Sequence, residues 1–450
     1  MSRNVSPLFA VLIGATTFQF AAAVPHYDIR DLTPDGYTVS QAYDINSSGD
    51  AVGVAGTFAN GPLEEAYFFY DHSAGTSTAF GVGTVSPREV TGFRSAAIND
   101  SGQIAGTAVF SDSSDRRGFV YSGGTSGAFT NLGTLPAATP SGNRPTSEAI
   151  DLNASGIATG YATSGRNNGD NRDAFVSTSN PIVDIDGDLT VATRDDRGRA
   201  INNAGLVVGS NEDTKATLFS GPTETVLLAS TAYASEPSFA ADLNESGQVV
   251  GWTDTTKEAF LYDSSGSVKI LPQMGTGNGM SAKAINENGD IVGDGDSGRT
   301  GSARGYVYLA DDATSYILED HILDKTVPAV ADLGDWGEIR VAWGINDDGW
   351  IVGLGRRQFT GNSFPTDRAY LLIPSTAPGD FDIDGDIDAN DFLTWQRDDG
   401  TARGLATWQS NYGYGVSSTV VSTAVSTTVP EPTSCLLCLV VIGNWPVRRK

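Results

Sequence analysis

From about residue 25 to residue 375, short apolar stretches alternate with clusters of Gly, Asn, Asp and Ser, a pattern of many brief strands joined by tight turns. Seven of these turns share one pattern: YDINSSGDAVG, AAINDSGQIAG, IDLNASGIATG, RAINNAGLVVG, ADLNESGQVVG, KAINENGDIVG and WGINDDGWIVG. Their asparagines are Asn46, Asn99, Asn153, Asn202, Asn244, Asn286 and Asn346, spaced 53, 54, 49, 42, 42 and 60 residues apart. Self-similarity at that period marks a repeat architecture, in which no unit buries its apolar face alone. In AAINDSGQIAG, Ala97-Ile98 ends a strand and Asn99 opens the turn. Gly102 takes the left-handed position that follows a type I turn, and Ile104 begins the return strand. A second glycine recurs four residues after the first, at Gly53, Gly106, Gly160, Gly209, Gly251, Gly293 and Gly353. A strand glycine at a fixed place permits a bulge or a close backbone approach.

Each motif is followed by another apolar burst: EAYFFY, RGFVY, DAFVS, KATLFS, EAFLY, RGYVY and RAYLLI. Segments such as FTNLGTLP (129–136) and VKILPQ (268–273) supply a fourth strand. Four short strands per unit describe a propeller blade. The last unit ends at RAYLLIP without a fourth strand, and HYDIRDL (26–32) has the character of the strand it lacks. The expectation is an all-β, seven-bladed β-propeller over residues 24–376, closed by the N-terminal strand, in preference to an open β-solenoid. A small α-helical calcium-loop module is expected to follow it.

Composition narrows the partners. A net charge of −26 argues against nucleic acid, whose phosphates would be repelled, and is compatible with cations. Both cysteines, Cys435 and Cys438, lie in the apolar tail, so the body has no disulfide framework. His26, His72 and His321 are too scattered for a zinc cluster. Arg3, the apolar stretch from Pro7 to Phe20 and Ala21-Ala22-Ala23 form the three regions of a secretory signal, with cleavage expected after Ala23.

The segment GDFDIDGDIDANDFLTWQR (379–397) has the spacing of a calcium loop. Counted from Asp380, acidic residues fall at positions 1, 3, 5, 7, 9 and 12, with Gly385 at position 6 and Ile387 at position 8. Calcium (Ca2+) needs six to eight oxygens on a loop bent sharply at position 6. Asp380, Asp382 and Asp384 would ligate through side chains and Asp386 through its carbonyl. Asp388 would act directly or through water, and Asp391 would close the shell from the first turn of a helix.

Three resemblances follow from these residues. The repeat motifs, with their apolar bursts, resemble the HAF repeats of bacterial extracellular proteins, although the eponymous His position holds Glu65, Arg117, Asp173, Lys215, Glu258, Arg304 and Arg368. The resemblance implies a β-repeat fold and surface location. Residues 378–415 resemble a type I dockerin, a pair of EF-hand-like loop–helix units that binds a cohesin. LTWQRDDG (393–400) recurs as ATWQSNYG (406–413), but 400–404 carry no ligands, so one calcium site is expected. Trp395 and Trp408 are expected to form the core between the helices. After a Ser/Thr/Val linker (416–428), residues 429–450 resemble a PEP-CTERM sorting signal: Pro430-Glu431-Pro432, an apolar stretch and Arg448-Arg449-Lys450. The resemblance implies recognition by an exosortase-type sorting protease and transient membrane contact.

No catalytic signature stands out. There is no G-x-S-x-G or phosphate loop in the repeats. The run Asp184, Asp186, Asp188 lacks the rest of a calcium loop and reads as a turn between strands. YILEDHILDK (316–325) has helical spacing and predicts a helix covering one propeller face, with His321 near its apolar side. Two functions fit. The first is a secreted surface or matrix binding protein, with an extracellular polysaccharide or a cohesin-like protein as partner. The alternative is a polysaccharide-degrading propeller hydrolase or lyase.

Overall fold

The computed structural model describes residues 27–57, 66–80, 90–110, 116–122, 127–135, 146–163, 172–178, 181–185, 195–299, 303–322, 336–359 and 365–374, together with 387, 389–394, 405, 408–409 and 412. The described strands form seven four-stranded antiparallel sheets. Six sheets use consecutive strands and make blades 1 to 6, at 39–80, 90–131, 147–184, 197–226, 238–270 and 280–317. Blade 7 takes three strands from 336–374, and its outer strand is Tyr27–Asp31. That strand pairs antiparallel with Thr366–Pro374, from Tyr27 opposite Pro374 to Asp31 opposite Tyr370. Tyr27, Ile29 and Leu32 are buried there. The first strand of each blade lies against the first strands of both neighbours, and Trp336–Ile345 of blade 7 meets Val39–Ile45 of blade 1. The repeats therefore close into a ring around a central channel, and no open solenoid forms.

The two glycines of the motif have different jobs. The turn glycines, Gly49, Gly102, Gly156, Gly205, Gly247, Gly289 and Gly349, all have φ between +70° and +83°, where an L side chain is strained. The second glycine lies beside a β-bulge in the inner strand. A Cβ on Gly209 would come 1.7 Å from the Arg197 carbonyl oxygen, and on Gly160, Gly251, Gly293 or Gly353 about 2 Å from the matching oxygen. On its other side the same glycine faces the third strand, where Phe68, Phe119, Phe175, Phe260, Tyr306 and Tyr370 pair with it in six blades. These rings are fully buried and form the blade cores. The small residue in strand two and the large one in strand three are thus one packing unit.

The helix expected over 316–325 does not form. Thr314–Ile317 is the outer strand of blade 6 and pairs with Arg304–Leu309. Leu318–Asp320 make a single 3-10 turn, and 323–325 lie outside the described residues. A helix this short is marginal alone, whereas the strand completes a sheet and places Leu318 in the core. The His321 carbonyl accepts a hydrogen bond from the Tyr27 amide at 2.8 Å, joining blade 6 to the closing strand.

Gly379–Lys450 form a separate compact unit. Its described part contains helix α1 (Ala389–Thr394), with Asp391 in the first turn. Ile387 and Asp391 are fully buried, and Trp408 packs between Phe392 (4.9 Å) and Tyr412 (5.0 Å). Asp380, Asp382, Asp384, Asp386, Asp388 and Trp395 lie outside the described residues, as do Ala23 and Pro430, Glu431 and Pro432. Among the described residues, no helix is long and apolar enough to cross a membrane.

Candidate functional site: the central channel

Two tiers of side chains on the inner strands, and a belt drawn from first, second and third strands, are arranged around the axis. At the turn end stand the seven motif asparagines. Each donates its side-chain amide to the backbone carbonyl of the next blade's asparagine, at 3.0–3.4 Å, and Asn346 closes the circle onto Asn46. In each turn the Asn side-chain oxygen accepts from the amide four residues on, which fixes the turn itself. A short polar side chain with both a donor and an acceptor is required, so the repeated asparagine is architectural.

Two residues before the asparagine, the motifs read Asp44, Ala97, Asp151, Ala200, Asp242, Ala284 and Gly344. The alternation has a simple cause: one carboxylate has two oxygens and serves two blades. Asp44 accepts the amides of Ile45 in its own blade and Ile98 in the next, both at 2.8 Å. Asp151 does the same for Leu152 and Ile201, and Asp242 for Leu243 and Ile285. Three aspartates therefore supply six blades. The odd seventh has glycine, where a Cβ would come 3.1 Å from the Tyr43 carbonyl oxygen and 3.2 Å from the Asp44 Cα.

The three carboxyl-bearing residues are half-buried within the ring. Burial pushes Asp44 up to about 6 and Asp242 up to about 7, against the opposing pull of their amide donors. Asp151 is raised as well, by burial first and then by the charges of Asp44 and Asp242.

Nearer the other end lies a belt drawn from unlike residues. Tyr161 has the guanidinium groups of Arg172 and Arg197 over its ring, at 5.5 and 5.6 Å, and donates to Glu148 at 2.7 Å. Arg172 and Arg197 share Asp195, and Glu148 also pairs with Arg116. Arg199, the bulged residue of blade 4, stands 5.9 Å from the Trp252 ring centre. Lys283, the bulged residue of blade 6, sits 4.2 Å from Trp252 and 5.3 Å from Trp343, the bulged residue of blade 7. Trp343 in turn meets Tyr43 of blade 1 at 6.0 Å, and Phe239 meets Trp252 at 5.3 Å. Burial lowers the pKa of both Arg199 and Lys283. A chain with a large negative charge thus lines this end of its axis with cations and aromatic rings.

Asp184 is buried in the outer strand of blade 3, Val183–Asp184, while Asp186 and Asp188 lie outside the described residues. Arg199, Lys283, Trp252 and Trp343 went unnoticed because no local motif marks them. Aligning the seven repeats would have found them, since they occupy the bulge column and the column after the second glycine. Away from the axis, Asp196, Glu212 and Glu224 bring carboxylate oxygens within 4.8 Å of one another. Two off-axis cavities of about 220 and 210 Å³ are each smaller than an ordinary small-molecule site.

A family model described as a protein of unknown function (DUF3466) matches residues 19–143. No curated protein matches the chain. Among solved structures, the chain is similar to a catalytically inactive virginiamycin B lyase from Staphylococcus aureus with quinupristin, at 9% identity and a TM-score of 0.45, covering 77% of this chain and 99% of that one. It is also similar to a puromycin hydrolase, at 12% identity and a TM-score of 0.44, covering 72% of this chain and 51% of that one. TolB from Acinetobacter baumannii follows, at 12% identity and a TM-score of 0.36, covering 63% and 64%. These are distant propeller neighbours, and the likeness is one of fold.

Proposed function

We propose that this chain is a secreted, surface-associated binding protein whose propeller takes its ligand at the cation-lined end of the central channel. One observation carries the reading. The side chains that repeat from blade to blade are occupied in closing the ring, whereas those that differ from blade to blade gather in the belt. A binding site needs such asymmetry, because a ligand without sevenfold symmetry is recognised by unlike groups. The ligand proposed is an extracellular polysaccharide. The signal peptide ending at Ala23 and a tail processed by an exosortase-type protease near Pro430-Glu431-Pro432 would set the address. A cohesin-like protein is the partner proposed for the second unit.

The test is incubation of the mature protein with a panel of extracellular polysaccharides, scoring retention and reducing-end release together. Retention without release is expected. New reducing ends, lost on boiling, would instead establish a polysaccharide-degrading enzyme.

The second unit is proposed to hold one Ca2+ on Asp380, Asp382, Asp384, Asp386, Asp388 and Asp391. Supporting this are the burial of Ile387 and Asp391 and the placement of Asp391 in the first turn of α1, as positions 8 and 12 of such a loop require. Titration calorimetry of the full chain is expected to give one calcium site, abolished by Asp382→Ala. Unchanged calcium uptake in that variant would remove the loop from consideration.

A further inference from the structure

The belt contains donors that the protein leaves unanswered. Arg199 Nε and Trp343 Nε1 are both shut off from bulk water and donate to no protein acceptor. Among the described residues, Arg199 makes no ion pair; its guanidinium stands 5.9 Å from the centre of the Trp252 ring. Lys283 lies against both Trp252 and Trp343, and has Asp294 as its ion-pair partner at 3.4 Å. Asp294 is itself held by the Ser281 hydroxyl at 2.6 Å. The Arg199 charge disfavours that of Lys283, after burial, while Arg197 disfavours that of Arg199. Arg199 as a whole is half-buried, but its Nε and the Trp343 Nε1 are fully buried, and a buried donor without an acceptor is costly. Arg199 and Lys283 share Trp252, and Lys283 also meets Trp343, so two unanswered donors and an ammonium group lie in one neighbourhood that an oxyanion would suit.

The other charges nearby do not supply it. Asp195 is taken by Arg172 and Arg197, and Glu148 by Arg116 and Tyr161. The oxygens of Asp44, Asp151 and Asp242 accept backbone amides. We propose that Arg199, Lys283 and Trp343 bind an oxyanion, the carboxylate or sulfate group of an acidic saccharide. This rests on the reading of the channel as the ligand-binding end. A planar guanidinium and an indole N–H suit such oxygens geometrically, since both donate in fixed directions. The net charge of −26 repels an anion at long range, but salt screens that field within about 10 Å, whereas Arg199 acts at contact.

The experiment titrates the mature full chain with three probes, read by tryptophan fluorescence and calorimetry without calcium. The probes are trigalacturonic acid, its fully methyl-esterified form, and a carrageenan tetrasaccharide bearing sulfate on neutral sugars. The acid or the sulfate ester is expected to bind at least about tenfold more tightly than the methyl ester, as loss of charge-assisted hydrogen bonds requires. Whichever of the two binds identifies the oxyanion. Arg199→Gln is expected to weaken that probe about 10–100-fold and to narrow its advantage over the methyl ester. Arg199→Lys, which keeps the charge without the fork, is expected to fall between. Equal affinity for acid and methyl ester overturns the oxyanion site while sparing the channel as a saccharide site. Binding of none of the probes also overturns the oxyanion site, and the polysaccharide panel then decides the broader reading separately.

Discussion

Gly209→Ala is expected to unfold blade 4, lowering stability by more than about 4 kcal/mol, the range reached only by severe core or backbone lesions. The added Cβ would lie 1.7 Å from the Arg197 carbonyl oxygen and 2.8 Å from the carbon of that carbonyl, and neither is the movable end of a side chain. Relief would have to come from separating the first two strands of the blade. That would break the pairing of Gly198 with Gly209 and shift the bulge that sets Arg199 beside Trp252. Gly205→Ala, in the turn of the same hairpin, is the informative contrast. It has φ +78° and open space around it, so the added methyl meets only intrinsic left-handed strain, about 1–2 kcal/mol. Thermal unfolding of both variants checks the pair. A Gly209→Ala protein no less stable than Gly205→Ala would mean that the close approach is relieved at little cost.

Asp151→Ala is expected to cost about 2–4 kcal/mol, because it removes the acceptor of two enclosed amides at once, Leu152 and Ile201, in adjacent blades. Ala97→Asp should bring no matching gain, since the Ile98 amide already has Asp44. The loss should also depend on pH. In the folded protein the Asp151 carboxyl is raised by burial, as are Asp44, to about 6, and Asp242, to about 7. A carboxyl raised on folding takes up a proton more readily in the folded chain than in the unfolded one. Its stabilising contribution is therefore complete below the unfolded value, about 3.9, and declines as pH rises through the folded value. The deficit of Asp151→Ala against the parent should be largest below about pH 4 and narrow towards pH 8. Comparing the two proteins cancels the general repulsion of an acidic chain. A deficit that grows with pH would show that the amide bonds to the ionised form outweigh its burial.

Much of this fold could be read along the chain. The seven turns, the left-handed glycines, the four-strand period and the closing role of HYDIRDL depend on short-range rules: turn geometry, the two-residue strand repeat and the need to cover a sheet edge. The same rules misled at 316–325. There an apolar spacing compatible with a helix belongs to an outer strand and one 3-10 turn, because the edge of blade 6 offers backbone partners that the local sequence does not reveal. The motif position two before each asparagine was in plain view as Asp, Ala, Asp, Ala, Asp, Ala, Gly, and meant nothing alone. Its meaning needs the next blade, 50 residues on in the case of Asp151 and Ile201.

The number of blades and the turn chemistry are legible along the chain because each repeat carries its own local motif, and ring closure is legible because the last repeat lacks a strand that residues 26–32 can supply. Only the tertiary structure decided which polar groups are spent on the ring and which are left over. The asparagines and aspartates find their partners across blade seams. Arg199, Lys283, Trp252 and Trp343, scattered over 145 positions from 199 to 343, become neighbours only when four blades converge on one axis. Burial then turns ordinary side chains into unanswered donors, and burial belongs to the closed ring and to no stretch of chain within it.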